Sequence, residues 1–214
     1  MDIKYWNNYY NQNGNDHGIS KPSTFAQFCL ENYFKKKQLD IVELGSGNGR
    51  DAIFFAQNNH NVVAIDQSIS AIEIEKKKLD NKINHLLKPK TLDFVNENYN
   101  NYENIDVFYS RFTLHSISKS DEELLLPNIY NSLKINGLFC IEVRTTKDPL
   151  FGIGKDCGNN TFISDNHKRR FIDTVNFRKQ VKKLGFIEIY FIEENNLSIY
   201  KKDNPVLMRI ILKK

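Results

Sequence analysis

The segment 41–50 reads Ile-Val-Glu-Leu-Gly-Ser-Gly-Asn-Gly-Arg, and it constrains the fold of this chain more than any other segment. An apolar run leads into three alternating glycines, and an amphipathic stretch follows over 50–59. Gly45 and Gly47 can adopt backbone torsions that side chains forbid, and they allow a ligand to approach the main chain closely. A helix that begins directly after such a turn points its N-terminus at that ligand. We therefore expect a strand, a tight turn and a helix here, with a ligand site at the turn.

Short β-branched runs alternate with amphipathic stretches along most of the chain. The runs predict strands over 40–44, 61–65, 91–94, 105–109, 138–143, 186–192 and 206–212. Helices are predicted over 23–37 and near 50–59, 68–79, 120–133 and 174–184. This alternation is typical of an α/β fold in which helices cover both faces of a mostly parallel sheet. The last two strands are joined by 193–205 alone, which is too short for the usual helical crossover, so we expect an antiparallel hairpin.

Two segments outside this alternation indicate where a ligand would bind within a single domain spanning 1–214. The first is a predicted helical cap over 1–37, which begins with four clustered aromatic residues, Tyr5, Trp6, Tyr9 and Tyr10. This cluster is interpreted either as a helix packed on the domain or as a lid over a site. The second, 144–172, is long and irregular, and such loops in compact domains are usually functional. It leaves a strand at the edge where α/β sheets bind ligands, so we interpret it as an active-site insertion.

Acidic residues follow the predicted strands next to the glycine turn. Asp66 ends the second strand, where a carboxylate can accept hydrogen bonds from both hydroxyls of a ribose. Asp93 follows the third strand and can accept a hydrogen bond from an adenine amino group, while Phe94 can supply an apolar contact. Together these residues predict an adenosine pocket. Glu43 would repel a pyrophosphate but attract an ammonium and a sulfonium, so the predicted cofactor is S-adenosylmethionine and not a dinucleotide.

On these residues the sequence resembles the class I S-adenosylmethionine-dependent methyltransferases. The segment 43–49 matches their glycine-rich first motif, Asp66 their ribose acid and Asp93 their adenine-side acid. The resemblance implies a Rossmann-like, seven-stranded sheet of order 3-2-1-4-5-7-6, with strand 7 antiparallel, and S-adenosylhomocysteine as the product. The implied cofactor-binding residues are Glu43, Gly45, Ser46, Gly47, Arg50, Asp66, Gln67, Asp93, Phe94 and Arg111.

Two weaker similarities concern the substrate. The run Gly49-Arg50-Asp51-Ala52 is similar to small-molecule methyltransferases of this class. The aromatic N-terminus, taken with 22–26, is similar to members linked to bacterial capsule and surface-polysaccharide biosynthesis. The segment 144–172 is longer than in better-known members, so their substrate contacts do not transfer directly.

Candidate catalytic and substrate-binding residues lie just beyond the fourth and fifth strands. His115 follows the fourth strand and is predicted to be a general base, since an unperturbed histidine titrates near neutrality; a packing or orienting role is the alternative. Arginine presents a planar fork suited to phosphate or carboxylate, so we expect an anionic acceptor. The acceptor classes considered are a phosphorylated sugar, a nucleotide-linked glycan precursor and a phosphoramidate-type group. The predicted acceptor-binding residues are Tyr9, Arg144, His167, Arg169 and Arg170.

The remaining features exclude other classes. Net charge is only +4 and no stripe of basic and aromatic residues is present, so no nucleic-acid partner is expected. The lysine runs 35–37 and 76–78 are interpreted as solvated helix ends. The longest apolar run is 52–56, too short to cross a membrane. His17, His60 and His85 are expected at the surface without a metal.

The cysteines bear on the cellular compartment, and the motifs bear on the activity. Cys29, Cys140 and Cys157 are scattered, which predicts reduced thiols in a cytoplasmic protein. The predicted activity is O-methylation of a small anionic acceptor. A non-catalytic module that binds the cofactor or a partner, and a nucleic-acid methyltransferase, are the alternatives. The oligomeric state is left open.

Overall fold

A seven-stranded sheet forms the centre of the computed structural model, which describes residues 2–13, 21–34, 37–102, 105–165 and 167–214. The strands are, in chain order, β1 (Asp40–Leu44), β2 (Asn61–Asp66), β3 (Leu87–Thr91), β4 (Ile105–Arg111), β5 (Leu133–Arg144), β6 (Lys155–Asp156), β7 (Thr161–Ser164), β8 (His167–Arg170), β9 (Ile187–Glu194) and β10 (Leu207–Lys213). The large sheet has the order β3-β2-β1-β4-β5-β10-β9, and β10 runs antiparallel to both of its neighbours. This confirms the predicted order and the predicted terminal hairpin.

Helices cover both faces of the sheet, as predicted. They are α1 (Ile3–Asn13), α2 (Thr24–Cys29, continued by a π-helical turn over Leu30–Phe34), α3 (Arg50–Gln57), α4 (Ile69–Lys77), α5 (Lys119–Ser132) and α6 (Thr174–Lys183). On one face α5 and α6 bury Leu125, Ile129 and Phe177 against the sheet. On the other face α2 and α3 bury Phe25 and Phe55. Burial of each such side chain contributes about 1.5–3 kcal/mol, which fixes the sheet between two apolar layers.

Serine side chains cap the N-termini of α4 and α5. Ser68 Oγ accepts a hydrogen bond from the amide of Ala71 and caps α4. Ser118 caps α5 through a reciprocal pair of hydrogen bonds with Asp121. Such caps satisfy backbone donors that have no partner inside the helix. The basic residues of the run 76–78 lie at the end of α4, as interpreted from the sequence, whereas residues 35 and 36 of the other run lie outside the described residues.

The third strand was predicted in the wrong place. The structure has it at Leu87–Thr91, and the segment predicted as a strand, 91–94, instead leaves the sheet. Pro89 and the exposed Lys88 hid the strand from an apolar-run search. Both residues are tolerated because β3 lies at the sheet edge, where a proline removes no required ladder hydrogen bond.

The segment 144–172 is not the irregular loop that the sequence suggested. β6, β7 and β8 pair antiparallel in a small second sheet, with Ile163 opposite both Lys155 and Lys168. Phe151, Phe162 and Phe171 pack their rings together beside it. The strands are so short that the alternation of apolar and polar residues along them gives no recognisable sequence pattern. The ring cluster joins residues up to twenty positions apart, so local sequence does not reveal it either.

One surface histidine was also predicted wrongly. His60 is buried, because its Nδ1 accepts a hydrogen bond from the amide of Leu39 at 3.2 Å and its ring packs beside Phe34. Burial lowers the pKa of His60. His85 is exposed, as expected, and His17 lies outside the described residues. Within the described ranges no helix is both long and apolar enough to cross a membrane, and no group of metal-ligating side chains is present.

Candidate active site

A cavity of about 420 Å³ opens at the carboxyl ends of β1, β2, β4 and β5. Its walls come from the glycine loop, from α1, from the second sheet and from the β9–β10 connection. The sequence-predicted residues that line it are Tyr9, Glu43, Gly45, Ser46, Gly47, Arg50, Asp66, Arg111, His115, Arg144, His167 and Arg169. The predicted residues that do not line it are Gln67, Asp93, Phe94 and Arg170.

Asp66 is tied directly to the glycine loop. One carboxylate oxygen accepts a hydrogen bond from the amide of Gly47 at 2.9 Å, and the other accepts from the amide of Ser68 at 2.8 Å. Burial raises the pKa of Asp66, and these two backbone hydrogen bonds oppose that rise. Gly47 has φ of 59°, a left-handed conformation that favours glycine. Asp66 therefore holds the loop in place while its carboxylate borders the cavity.

Glu43 lies buried at the end of β1 and presents an unsatisfied acceptor. Its Oε2 has no hydrogen-bond partner among the described residues. Burial, together with the nearby Asp51 and Glu75 carboxylates, raises the pKa of Glu43 well above its usual range. An unpartnered buried oxygen is costly unless a ligand supplies a donor. The amino group of S-adenosylmethionine is such a donor, so the Glu43, Gly47 and Asp66 side of the cavity fits that cofactor.

The predicted adenine side fits less well. Phe94 is completely buried in the core and does not line the cavity, so the structure gives no support to a cofactor contact by its side chain. Because β3 ends at residue 91, the following turn directs Phe94 inward. Asp93 caps this turn, accepting hydrogen bonds from the amide of Val95 and the side chain of Asn96. Gln67 is half-buried and lies outside the cavity wall.

The helix α1 lies across the cavity, and its aromatic side chains face into it. No residue of α1 is fully buried, yet Tyr5, Trp6, Tyr9 and Tyr10 all line the cavity. Asn7 fixes the helix to the start of α4, since its Oδ1 accepts a hydrogen bond from Ser68 Oγ at 2.8 Å. At the other side the Tyr5 ring packs 4.6 Å from the His167 ring, centroid to centroid. The aromatic cluster therefore packs on the domain and also borders the cavity, which is compatible with both interpretations.

Two arginines predicted to bind the acceptor are neutralised by carboxylates. Arg144 forms ion pairs with Asp148 and Asp203. Arg170 faces away from the cavity and donates to Glu122 at 2.6 Å, as well as to two backbone carbonyls. Its guanidinium links α5 to the second sheet and does not line the cavity, so the structure gives no support to the predicted contact between Arg170 and the acceptor. These partners come from distant segments, so local sequence could not reveal them.

The guanidinium of Arg111 is also bound by other side chains of the protein. Its Nε donates to Glu142 at 2.9 Å and a terminal nitrogen donates to Ser198 at 2.8 Å. Its guanidinium also lies 4.3 Å from the centre of the Phe112 ring. Glu142 is fully buried and also accepts from Arg209. Arg111 therefore lines the cavity as part of an ion-pair network.

Arg169 and His115 differ from these residues because each keeps a buried nitrogen without a partner. The unpaired atoms are Arg169 Nε and His115 Nδ1. Burial and the nearby Arg144 lower the pKa of Arg169. Burial, followed by the charges of Arg169 and Arg144, lowers the pKa of His115 well below its usual range. The lowered pKa favours the uncharged imidazole, which differs from the unperturbed histidine considered in the sequence analysis.

Sequence analysis missed several parts of the cavity wall. Asp51 is buried and binds three donors, from the amide and hydroxyl of Ser23 and the hydroxyl of Tyr109. Phe112 has φ of 57°, a strained conformation for a non-glycine residue, and it lies beneath Arg111. Ser198 and Asp203 come from the β9–β10 connection. No local pattern marks that connection, whose role depends only on how the hairpin folds back.

Comparison with known proteins agrees with this geometry. Residues 42–139 match the family model of a methyltransferase domain. No curated protein matches the sequence. A Listeria monocytogenes protein assigned to the S-adenosylmethionine-dependent methyltransferases has a similar structure at 18% identity and TM-score 0.67, over 89% of this chain and 98% of that one.

Two further solved structures have the same fold. One is the Burkholderia thailandensis 1,6-didemethyltoxoflavin-N1-methyltransferase with 1,6-didemethyltoxoflavin and S-adenosylhomocysteine bound, at 13% identity and TM-score 0.73, over 99% of this chain and 86% of that one. The other is a Methanosarcina mazei S-adenosylmethionine-dependent methyltransferase, at 14% identity and TM-score 0.70, over 86% of this chain and 96% of that one.

The large sheet has the strand order of the class I, Rossmann-like methyltransferase fold, and residues 42–139 within it match a methyltransferase domain. The solved structures that share this fold include S-adenosylmethionine-dependent methyltransferases, and in this chain the glycine loop, Glu43 and Asp66 border the cavity.

Proposed function

We propose that this chain transfers a methyl group from S-adenosylmethionine to an oxygen atom of a small anionic acceptor. One observation carries the proposal: a single cavity holds the unpartnered buried oxygen Glu43 Oε2 and the unpartnered buried nitrogens Arg169 Nε and His115 Nδ1. A cationic group fits Glu43, an anionic group fits Arg169, and a hydroxyl group fits the neutral imidazole.

The cofactor would lie along the glycine loop. Asp66 would accept from the ribose hydroxyls and Glu43 from the amino group. When bound, the cofactor supplies an electrophilic methyl group on a sulfonium. The chain itself contributes positioning, which alone can lower much of the barrier for such a transfer.

The acceptor would bind on the Arg169 side. Arg169 lines the cavity without a carboxylate partner in the described ranges, so its charge is available to a ligand. A phosphate group accepts two parallel hydrogen bonds from one guanidinium. We therefore favour a phosphorylated or nucleotide-linked sugar, or a phosphoramidate-type group. The sequence similarity to capsule-linked methyltransferases supports a place in polysaccharide biosynthesis.

His115 would take the proton that the acceptor hydroxyl loses. The imidazole is neutral before the acceptor binds, because burial and neighbouring arginines disfavour its charged form. An anion on Arg169 cancels part of that repulsion and makes the imidazole more basic. Proton transfer to a positioned base contributes roughly 10²–10⁴-fold to the rate.

The proposal is tested by measuring S-adenosylhomocysteine formation with paired acceptors. Sugar phosphates and nucleotide sugars are compared with the same sugars lacking phosphate. We expect turnover with a charged member and at least tenfold lower kcat/KM with its neutral partner. Equal kcat/KM for charged and neutral acceptors would overturn the anionic-acceptor part.

Arg169→Gln provides the matched variant, with Lys168→Gln as control. Lys168 is the exposed neighbour of Arg169 on the same strand, so both changes remove one positive charge. We expect only Arg169→Gln to raise the KM of the charged acceptor, and neither change to alter S-adenosylhomocysteine affinity. A similar rise in both variants would indicate a general charge effect.

A further inference from the structure

Glu75 contacts the glycine loop from behind, outside the cavity wall. It projects from α4 and is completely buried. One carboxyl oxygen accepts a hydrogen bond from Ser46 Oγ at 3.0 Å, and the other has no partner among the described residues. Its side-chain carbons occupy the space that a side chain on Gly49 would need. Glu75 thus supports the loop on both sides of Gly47.

The surroundings of Glu75 disfavour a negative charge there. The Asp66 carboxylate on β2 raises the pKa of Glu75. Glu43 on β1 and the Tyr10 hydroxyl on α1 also lie close, and Glu75 raises the pKa of each of them. The nearby cation is Lys78, which directly follows α4, donates to the carbonyl of Asn48 at 2.9 Å and itself lies near Arg50. Burial raises the pKa of Glu75 to about 8, opposed by Ser46 and Lys78. Glu75 is therefore mostly a neutral acid at pH 7.

We propose that neutral Glu75 is a positioning residue that holds the glycine loop in its cofactor-binding conformation, and that loss of its proton releases the loop and weakens cofactor binding. This inference rests on the proposed function, since it concerns the same cofactor site. A buried carboxylate close to Asp66 needs water or a new donor at its unpartnered oxygen, and movement of the loop would supply one. Glu75 acts through Ser46 and Gly49, because it does not itself line the cavity.

Calorimetry with S-adenosylhomocysteine tests this at pH 6.5 and pH 9.0. If only the neutral form binds well, wild-type affinity falls about tenfold more between these pH values than the affinity of Glu75→Gln, whose amide stays neutral. Titration of the ligand's own amino group is common to both proteins and cancels. Glu73→Gln is the control, because Glu73 is exposed on the same helix and should leave the wild-type pH dependence unchanged.

If Glu75→Gln folds poorly, a second variant, Ser46→Ala, still tests the proposal. Ser46→Ala removes the hydrogen bond that lowers the pKa of Glu75, so the pH at which affinity falls should move upward. Identical pH dependence in wild type and both variants would overturn the proposal. So would a wild-type affinity that rises with pH relative to Glu75→Gln, since the carboxylate would then be the binding form.

Urea unfolding without ligand separates this proposal from the proposed function. A carboxyl group whose pKa is raised on folding contributes stability that is lost as pH rises from its unfolded pKa through the folded one. Wild type should therefore lose stability between pH 6 and pH 9 relative to Glu75→Gln. If this difference appears but neither protein binds S-adenosylhomocysteine, the cofactor assignment fails and the positioning role fails with it. If binding occurs without the difference, only the role of Glu75 is overturned.

Discussion

The hydroxyl of Tyr10 lies against the α-carbon of Gly47, so the N-terminal helix touches the glycine loop directly. A side chain at position 47 would collide with the Tyr10 ring. The contact joins the first element of the chain to the turn after β1, and it closes one side of the cavity. It also makes the position of α1 sensitive to any change in the loop.

Gly47→Ala should weaken S-adenosylhomocysteine binding and destabilise the protein. The left-handed backbone alone costs an alanine about 1–2 kcal/mol, and the collision with Tyr10 adds to it. Urea unfolding of Gly47→Ala, Tyr10→Ala and the double variant measures the coupling. We expect the double variant to recover the free energy of unfolding that the collision with Tyr10 removes. The loss caused by the left-handed backbone should remain. If the losses of unfolding free energy in the two single variants simply add in the double variant, the contact between Tyr10 and position 47 is contradicted.

Asp66→Asn should lower S-adenosylhomocysteine affinity by about 10- to 100-fold. Charge-assisted hydrogen bonds contribute about 1.5–3 kcal/mol each, and the amide keeps only one acceptor oxygen. Asp93→Asn is the matched control, because Asp93 serves its own turn and lies outside the cavity wall. Calorimetry should show a much smaller loss for Asp93→Asn. Unchanged affinity in a folded Asp66→Asn protein would remove the ribose assignment.

His115→Gln should lower kcat by roughly 10²-fold and leave cofactor affinity nearly unchanged. The pH–rate profile should show no inflection near 6.5 from His115 in the free enzyme, because its pKa is lowered. Removing a neighbouring positive charge favours the imidazolium, so Arg169→Gln should raise the pKa of His115. NMR titration of the imidazole checks this shift. A His115→Gln enzyme with wild-type kcat would return His115 to a packing role.

Arg144 and Arg169 should respond differently to replacement by methionine. Arg144→Met leaves the buried Asp148 carboxylate without its partner, and such losses cost about 3–5 kcal/mol. Arg169→Met strands no carboxylate, so its stability loss should be below about 1 kcal/mol. Urea unfolding measures both. A larger loss for Arg169→Met would show that Arg169 is structural and not free for a ligand.

Acid should destabilise the protein through its buried histidines. Burial and nearby arginines lower the pKa of His167 to about 4, and burial lowers that of His60. A histidine whose pKa is lowered on folding contributes stability that is lost as pH falls from about 6.5 through the folded value. His167→Phe keeps a ring against Tyr5 and Trp6 but cannot charge. Its free energy of unfolding should therefore fall less than that of wild type between pH 6.5 and pH 4.

The edge strand β3 shows where pattern analysis reaches its limit. The central strands β1, β2 and β4 are buried, so their apolar runs identified them. β3 is paired on one side only and carries lysine and proline, so its sequence resembles a loop. The misplaced strand then misplaced Phe94, because a shift of a few residues reverses which side chains point into the core.

The order of the large sheet was implied by the resemblance to a known family. The sequence by itself determined the strand, glycine turn and helix over 40–57 and the position of Asp66. These follow from backbone torsions and burial patterns that contiguous residues encode. Only the tertiary structure decided which cations are available to a ligand. Asp203 neutralises Arg144 from 59 residues away and Glu122 neutralises Arg170 from 48 residues away, while Arg169 receives no such partner in the described ranges. Charge neutralisation and desolvation depend on distance through space, which the spacing of residues along the chain does not specify.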